Sequence, residues 1–387
     1  MGCTPSQPQV AQPTASRVSS YYHNNKSADD TNTSGYYVHG GSTNGGTRTA
    51  GTSSNGVGSR TGRVTMPRSP AAYQSAAELN KTKLEDIDWS EYQEVLPILA
   101  PLHNQFYIDF EFLTVVRPIK SNYMKTEMAN FNGESVLIKY AAITGAPADI
   151  AKAKRAIVTE ITSMSRLAHP NVVEFKGFSI SPEKGLVCVT EHMEGKTLRA
   201  ALDNPKLFMR YTWAKEKINF AIDICSALAY MHQLSPKLIH RNVKASKVLL
   251  NKTRTRAKLS GFGSSRDRSF EQTMTNQVGD VEWSAPELIM EAEEYTEKVD
   301  VYSFGMLLTE LDTGLIPFAD VKSTMAQAAF TNKLIVGALR PKLSPDCPSA
   351  IATVIKHCLQ QDAHVRPSSM EVLKMLQRAK AELSRDL

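Results

Sequence analysis

The first 78 residues contain no Leu, Ile, Phe or Trp; the first Leu of the chain is Leu79. A segment without these side chains cannot bury enough apolar surface to offset the entropy of ordering it. Any core must therefore be built from residues beyond this segment. The stretch is instead rich in Ser, Thr, Gly and Asn, as in SSYYHNNKSADDTNTSGYYVHGGSTNGG, and a disordered tail is expected over 1–78. With 42% apolar residues in a chain of 387, the remainder suffices for one large domain or two modest ones. The net charge of +6 comes without a basic block, so nothing points to nucleic acid. The five cysteines (Cys3, Cys188, Cys225, Cys347 and Cys358) are scattered, with no metal-ligand spacing. No metal site or disulfide framework is expected, and a reducing cytoplasmic setting fits. No apolar run reaches the length of a membrane span, and the N-terminus lacks the apolar stretch of a secretory signal.

The chain nevertheless opens with a membrane signal of another kind. In MGCTPS, Gly2 and Ser6 fit the N-myristoylation pattern, and Cys3 is placed for palmitoylation. One acyl chain holds a protein on a bilayer only marginally, whereas two hold it stably. The expected location is the cytoplasmic face of a membrane if Gly2 and Cys3 are acylated, and the cytoplasm otherwise.

Residues 79–105 change in composition and read as a linker, a short helix or a strap. From Phe106 the pattern is globular. FYIDFEFLTVV, TEMANF and ESVLIKY read as strands, with Asn132-Gly133 as a hairpin turn. AKRAIVTEITSMSRL has helical spacing over about 148–167, and strands follow around VVEFKGFSI and GLVCVTEH. Beyond about Thr197 the chain is mostly helical, through TWAKEKINFAIDICSALAYMHQL, KVDVYSFGMLLTELDTG and SSMEVLKMLQRAKAEL. The fold class is α+β: a small β-rich lobe with one helix over 106–193, then a larger helical lobe over 194–384.

A series of short motifs runs through these lobes in order: VLIK ending at Lys139, Glu160 in the helix after it, HRNVKASKVLL (240–250), GFG (261–263), SAPE (284–287), DVYSFG (300–305) and Arg366 in HVRPS. Together they resemble the protein-kinase superfamily, most closely its tyrosine-kinase-like group. The resemblance implies a bilobal kinase fold. It makes Arg241, Phe262, Glu287, Asp300 and Arg366 structural positions, with Arg366 paired to Glu287. It also makes Arg241 a candidate receiver of a phosphate from Ser269, Thr273 or Thr275, which are equally readable as ordinary loop hydroxyls.

The chemistry is where the chain departs from the pattern. The family's catalytic loop carries an Asp that accepts the substrate proton, and here that position is Asn242, an amide that cannot act as a base. A general base contributes roughly 10²–10⁴ in rate. The loop Asn that binds a second magnesium is Lys247, a cation. The principal magnesium ligand, the Asp of D-F-G, is Gly261. The glycines that let backbone approach the phosphates are also missing: PIKSNYM (118–124) stands there, and no Gly lies between Leu113 and Asn132. The resemblance places a base pocket at Thr190, Glu191, Met193 and Leu249, but the small roofing Ala is Leu137.

Two readings of the cleft stay open. Either Lys139, Glu160 and Lys247 hold ATP without magnesium, or Lys139 and Glu160 pair structurally in a cleft filled by side chains; the missing glycines and acids favour the second. A further substitution, Asp280 in VGDVEW where related kinases carry Thr, offers an ion pair with Lys244 that would hold the loop closed to substrate. A solvated Asp280 is as readable. The functional expectation is a pseudokinase, membrane-tethered, acting as a scaffold or allosteric partner of an active kinase. The alternative is a weakly active or atypical serine/threonine kinase, for which Asp280 and Glu282 are the nearest carboxylates outside the family's positions.

Overall fold

The structure is a computed structural model and describes residues 82–120, 124–142, 145–267, 280–290, 292 and 295–385. The tail, Gly2, Cys3, Ser269, Thr273, Thr275 and residues 121–123 of the phosphate-covering stretch lie outside the described residues.

The N-terminal lobe is an antiparallel sheet with one long helix. Its strands are β1 (Thr114–Ile119), β2 (Lys125–Phe131), β3 (Glu134–Tyr140), β4 (Phe175–Ser181) and β5 (Gly185–Glu191), in the spatial order β1-β2-β3-β5-β4. The helix α1 (Pro147–Met164) falls between β3 and β4. The β2–β3 hairpin turns at Asn132 and Gly133, both at positive φ (51° and 82°), as the primed two-residue turn requires. Alternation along β3 and β5 sends Val136, Ile138, Val187 and Val189 into one small core with Ile108, Leu113, Ala129 and Phe131. On α1, Ile157, Ile161 and Met164 lie at helical spacing and join the main core.

Over its described residues, 82–113, the segment before β1 is a strap, which decides the open reading of 79–105 for 82–105 and corrects that of FYIDFEFLTVV. It proceeds in single helical turns at Leu84–Asp86, Leu96–Leu99, Ala100–Leu102, His103–Phe106 and Phe110–Phe112, and pairing as a strand starts only at Thr114. The reason is visible in the apolar pattern, which runs consecutively through Phe106, Tyr107 and Ile108 where a half-buried strand would alternate. Phe106 and Tyr107 pack on Phe175 and Phe178 of β4, at ring distances of 5.2 and 5.6 Å, while Ile108 enters the sheet core. Further upstream Trp89 and Tyr92 are buried. The Tyr92 hydroxyl accepts the Leu186 backbone N–H at 2.9 Å, and Lys154 of α1 pairs with Glu91 at 3.0 Å. The strap thereby ties α1 to the start of β5.

The C-terminal lobe comprises α2 (Glu216–Met231), the short strands β6 (Leu238–Ile239), β7 (Val248–Leu250), β8 (Ala257–Leu259) and β9 (Arg266–Asp267), then α3 (Lys298–Thr313), α4 (Gln327–Ile335), α5 (Ser349–Cys358) and α6 (Ser369–Leu383). Every residue of α3 from Val299 to Asp312 is buried, so this helix is the axis of the lobe. The α6 helix starts with a capping box between Ser368 and Glu371. The lobe order and the long helices agree with the sequence reading. Among the described residues no helix is long and apolar enough to cross a membrane.

Candidate functional site

The loop HRNVKASKVLL is suspended by its backbone from α3. Asp300 is fully buried and accepts the N–H groups of His240 and Arg241, each at 2.7 Å. It also accepts from His232 Nε2 at 3.0 Å, whose other ring nitrogen lies 2.9 Å from Ser369 Oγ. Burial pushes the Asp300 carboxyl up, but His232 and the loop donors more than offset it and hold the group below the usual range. Nδ1 of His240 accepts the Asn242 N–H at 3.2 Å, so Nε2 carries the ring proton and donates to the Ser260 carbonyl at 3.1 Å. With both nitrogens satisfied in the neutral form, burial takes the His240 pKa down to about 4. Phe262 is fully buried and meets the His240 ring edge-on at 4.9 Å. Arg241 (φ +61°) donates to the Ser264 carbonyl at 2.6 Å and the Tyr295 hydroxyl at 3.2 Å.

A second anchor was missed in the sequence. Glu310, fully buried in α3, accepts the Ala245 N–H at 2.9 Å, Trp283 Nε1 at 2.7 Å and Arg199 at 3.1 Å. Burial raises its pKa even with these donors. The available signal was a lone Glu inside the apolar run GMLLTEL: a buried acid requires partners, though the sequence does not say which.

In the cleft between β3 and α1, Lys139 Nζ lies 2.6 Å from Glu160 Oε1, with Glu160 only 2% exposed. Burial lowers the Lys139 pKa, but Glu160 and Cys188 more than reverse it, and the ammonium is held above its usual value. Thr190 is buried on β5, opposite Leu137 of β3, and Met193 is buried just beyond. Glu191 is engaged: its carboxylate accepts the Glu174 N–H at 2.7 Å and Lys258 Nζ at 2.5 Å. Leu249 and Leu137 are both half-buried.

Lys247 and Gly261 are neighbours, because the β7–β8 ribbon pairs Val248 with Leu259 and Ser260 N–H donates to the Lys247 carbonyl at 2.8 Å. Gly261 is left-handed (φ +82°), and a Cβ built there would lie 2.7 Å from Lys247 Cδ and 3.3 Å from its Nζ. The lysine side chain thus lies in the space that an Asp side chain at 261 would need. Burial lowers the Lys247 pKa; Glu160 opposes this and Lys139 reinforces it.

The residues present do not fit the divalent cation that the kinase fold implies. Mg²⁺ demands oxygen ligands, and the two ligand positions offer an ammonium and a glycine packed against each other. Among the described residues no three His, Cys, Asp or Glu side chains form a metal-holding group. The two carboxylates that the sequence offered as substitutes are engaged. Asp280 accepts from Lys244, the pairing the sequence left open, and Lys244 also lies over the Trp283 ring at 5.2 Å. Glu282 pairs with Lys322. Arg366 donates to both oxygens of Glu287 at 2.7 and 3.2 Å, as the resemblance implied.

Comparison with known proteins matches residues 119–376 to the model of the protein tyrosine and serine/threonine kinase family, and the chain belongs to that family. Among similar proteins, a probable serine/threonine-protein kinase of Dictyostelium discoideum is 36% identical over 56% of this chain and 22% of its own length. The serine/threonine/tyrosine-protein kinase HT1 of Arabidopsis thaliana is 34% identical over 59% of this chain and 56% of its own. Human mitogen-activated protein kinase kinase kinase 7 is 32% identical over 58% of this chain and 35% of its own. The chain therefore spans between about a fifth and about half of these relatives.

Proposed function

We propose that this protein is a pseudokinase: a kinase-fold signalling protein that acts by binding an active kinase or scaffold, held at a membrane through acylation of Gly2 and Cys3. The observation that carries the reading is the packing of Lys247 onto Gly261, which puts a cation and a bare backbone where phosphoryl transfer requires metal-binding acids. Asn242 adds the lack of a proton acceptor. The names of the relatives favour the other reading, an active serine/threonine kinase. Against it stands the engagement of Asp280 and Glu282 in ion pairs, which leaves neither free to replace the lost acids.

The test is phosphate transfer from Mg·ATP to a generic protein substrate and to the chain itself. The expected rate is indistinguishable from that of Lys139→Ala; a rate that Lys139→Ala abolishes would sink the proposal. The tether is tested separately: Gly2→Ala should move the protein from the membrane to the soluble fraction, and its retention on membranes would remove acylation from the account.

A further inference from the structure

Two turns of the C-terminal lobe meet at its surface. The helical turn Pro205–Phe208 lays the Phe208 ring against Gly314, which ends α3 at φ +73°; a Cβ there would come within 2.9 Å of the ring. Arg199 clamps the two turns by donating to Asp203 and to the Gly314 carbonyl. Lys217 lies 4.5 Å over the Phe208 ring and donates to the Asp312 carbonyl at 3.1 Å. The residues that follow each touching point are apolar and exposed: Met209 by 84%, Leu315 by 66% and Ile316 by 47%. Single exposed apolar side chains are ordinary on a protein surface, but three on adjoining, clamped turns form a patch. Met209 stands at the apex of a tight turn, where the N–H groups of Arg210 and Tyr211 close on the carbonyls of Leu207 and Phe208, each at 3.0 Å.

The charge around this tip is mostly of one sign. Lys206, Arg210 and Lys215 are exposed, and among the described residues none of them has an ion pair. The acids of the same two segments are occupied. Asp203 holds Arg199 at 2.9 Å, Asp320 holds Lys342 at 2.7 Å, and the buried Asp312 accepts from Trp213 and Ser344. Glu216 accepts the Thr212 N–H at 3.3 Å and is the one acid of the two segments left without a cationic or buried partner. We infer that the folded domain itself docks on an anionic bilayer, with Met209, Leu315 and Ile316 entering among the lipid headgroups and Lys206, Arg210 and Lys215 facing their phosphates and carboxylates. Shape separates a bilayer from a protein partner. A side chain as exposed as Met209 lines no groove, so a peptide finds no walls there, whereas lipids rearrange around a protruding side chain. Each cation near an anionic leaflet strengthens binding about fivefold, and the buried methylenes add to it. The inference deepens the membrane reading above without depending on acylation. Without acyl anchors the patch holds a bilayer weakly and reversibly, so a Gly2→Ala chain leaves washed membranes yet binds vesicles supplied in excess.

The experiment is cosedimentation of the full chain carrying Gly2→Ala, so that no N-terminal acyl group contributes, with vesicles of phosphatidylcholine alone and of phosphatidylcholine with phosphatidylserine. The chain binds the mixed vesicles and not the neutral ones, and added salt weakens binding as the Debye length falls from about 10 Å towards about 3 Å. Met209→Asp with Leu315→Asp, and separately Lys206→Glu with Arg210→Glu, each lower the partition about tenfold or more. The charge-keeping pair Lys206→Arg with Arg210→Lys leaves it unchanged. All these side chains are exposed, so every variant melts with the parent. Residues 1–78 bring six Lys and Arg of their own to the vesicles, and the patch variants separate the two sources. Binding that both double variants leave untouched belongs to the tail and overturns the inference. No binding to mixed vesicles assigns the patch to a protein partner and overturns it too, and equal binding to both vesicle types removes the anionic lipid from it. None of these outcomes bears on acylation, which the cell fractionation alone decides.

Discussion

Arg366 and Glu287 form a bidentate pair in which the arginine side chain is wholly buried and the glutamate nearly so. Removing one partner strands the other charge, so Arg366→Ala should lower unfolding free energy by about 3–5 kcal/mol, read from urea denaturation. A change below about 1 kcal/mol would mean that the pair is solvent-screened and contributes little. This contact was legible from the sequence because a motif fixes both members. Lys139 with Glu160 was legible for the same reason, whereas Lys244 with Asp280 stayed open against a solvated Asp280 until the structure paired them. The packing of Lys247 on Gly261 was not. Each substitution could be read as a loss by itself, but their adjacency depends on the register of two three-residue strands, which carry too little pattern to align. Glu310 was missed because a lone acid in an apolar helix announces burial without naming its donors.

At the scale of elements, long periodic helices and alternating strands could be read directly, and the strap could not. Its single turns are shorter than any hydrophobic period, and their conformation is decided by what Trp89, Tyr92, Phe106 and Tyr107 dock against. Tyr92 is the contact to test. Tyr92→Phe keeps the ring and removes the acceptor of the Leu186 N–H, at a cost of about 1–3 kcal/mol if that N–H finds no other partner. Hydrogen exchange should then quicken over 84–106 and at Leu186, and also in the N-terminal half of α1, which Lys154 ties to Glu91. Exchange confined to Leu186 alone would show that the strap is held elsewhere and does not steady α1.

For the molecule as a whole, the informative variable is acidity. His240 has a pKa of about 4 in the folded state against an ordinary 6.5, because burial excludes its charged form. Below pH 6.5 the unfolded chain takes up a proton that the folded one refuses, so stability falls as pH drops from 6.5 to about 4. The loss from this group is on the order of 3 kcal/mol. His169 and His192, also lowered by burial, add to it with the same sign. Urea midpoints measured across that window should fall, and His240→Gln should flatten the slope; an unchanged slope would clear His240 of the effect. The two-lobe plan itself was evident in the sequence, since the change from alternating to helical pattern near Thr197 divides the lobes. The grip of Asp300 on the main-chain N–H groups of residues 240 and 241 has a wider consequence. Because Asp300 grips the loop by its peptide groups, the side chains at 242 and 247 take no part in that anchor, and they could be exchanged in evolution without releasing it. In the pseudokinase proposed above, the contour of an enzyme then outlasts its chemistry and remains on offer as a surface for others to recognise.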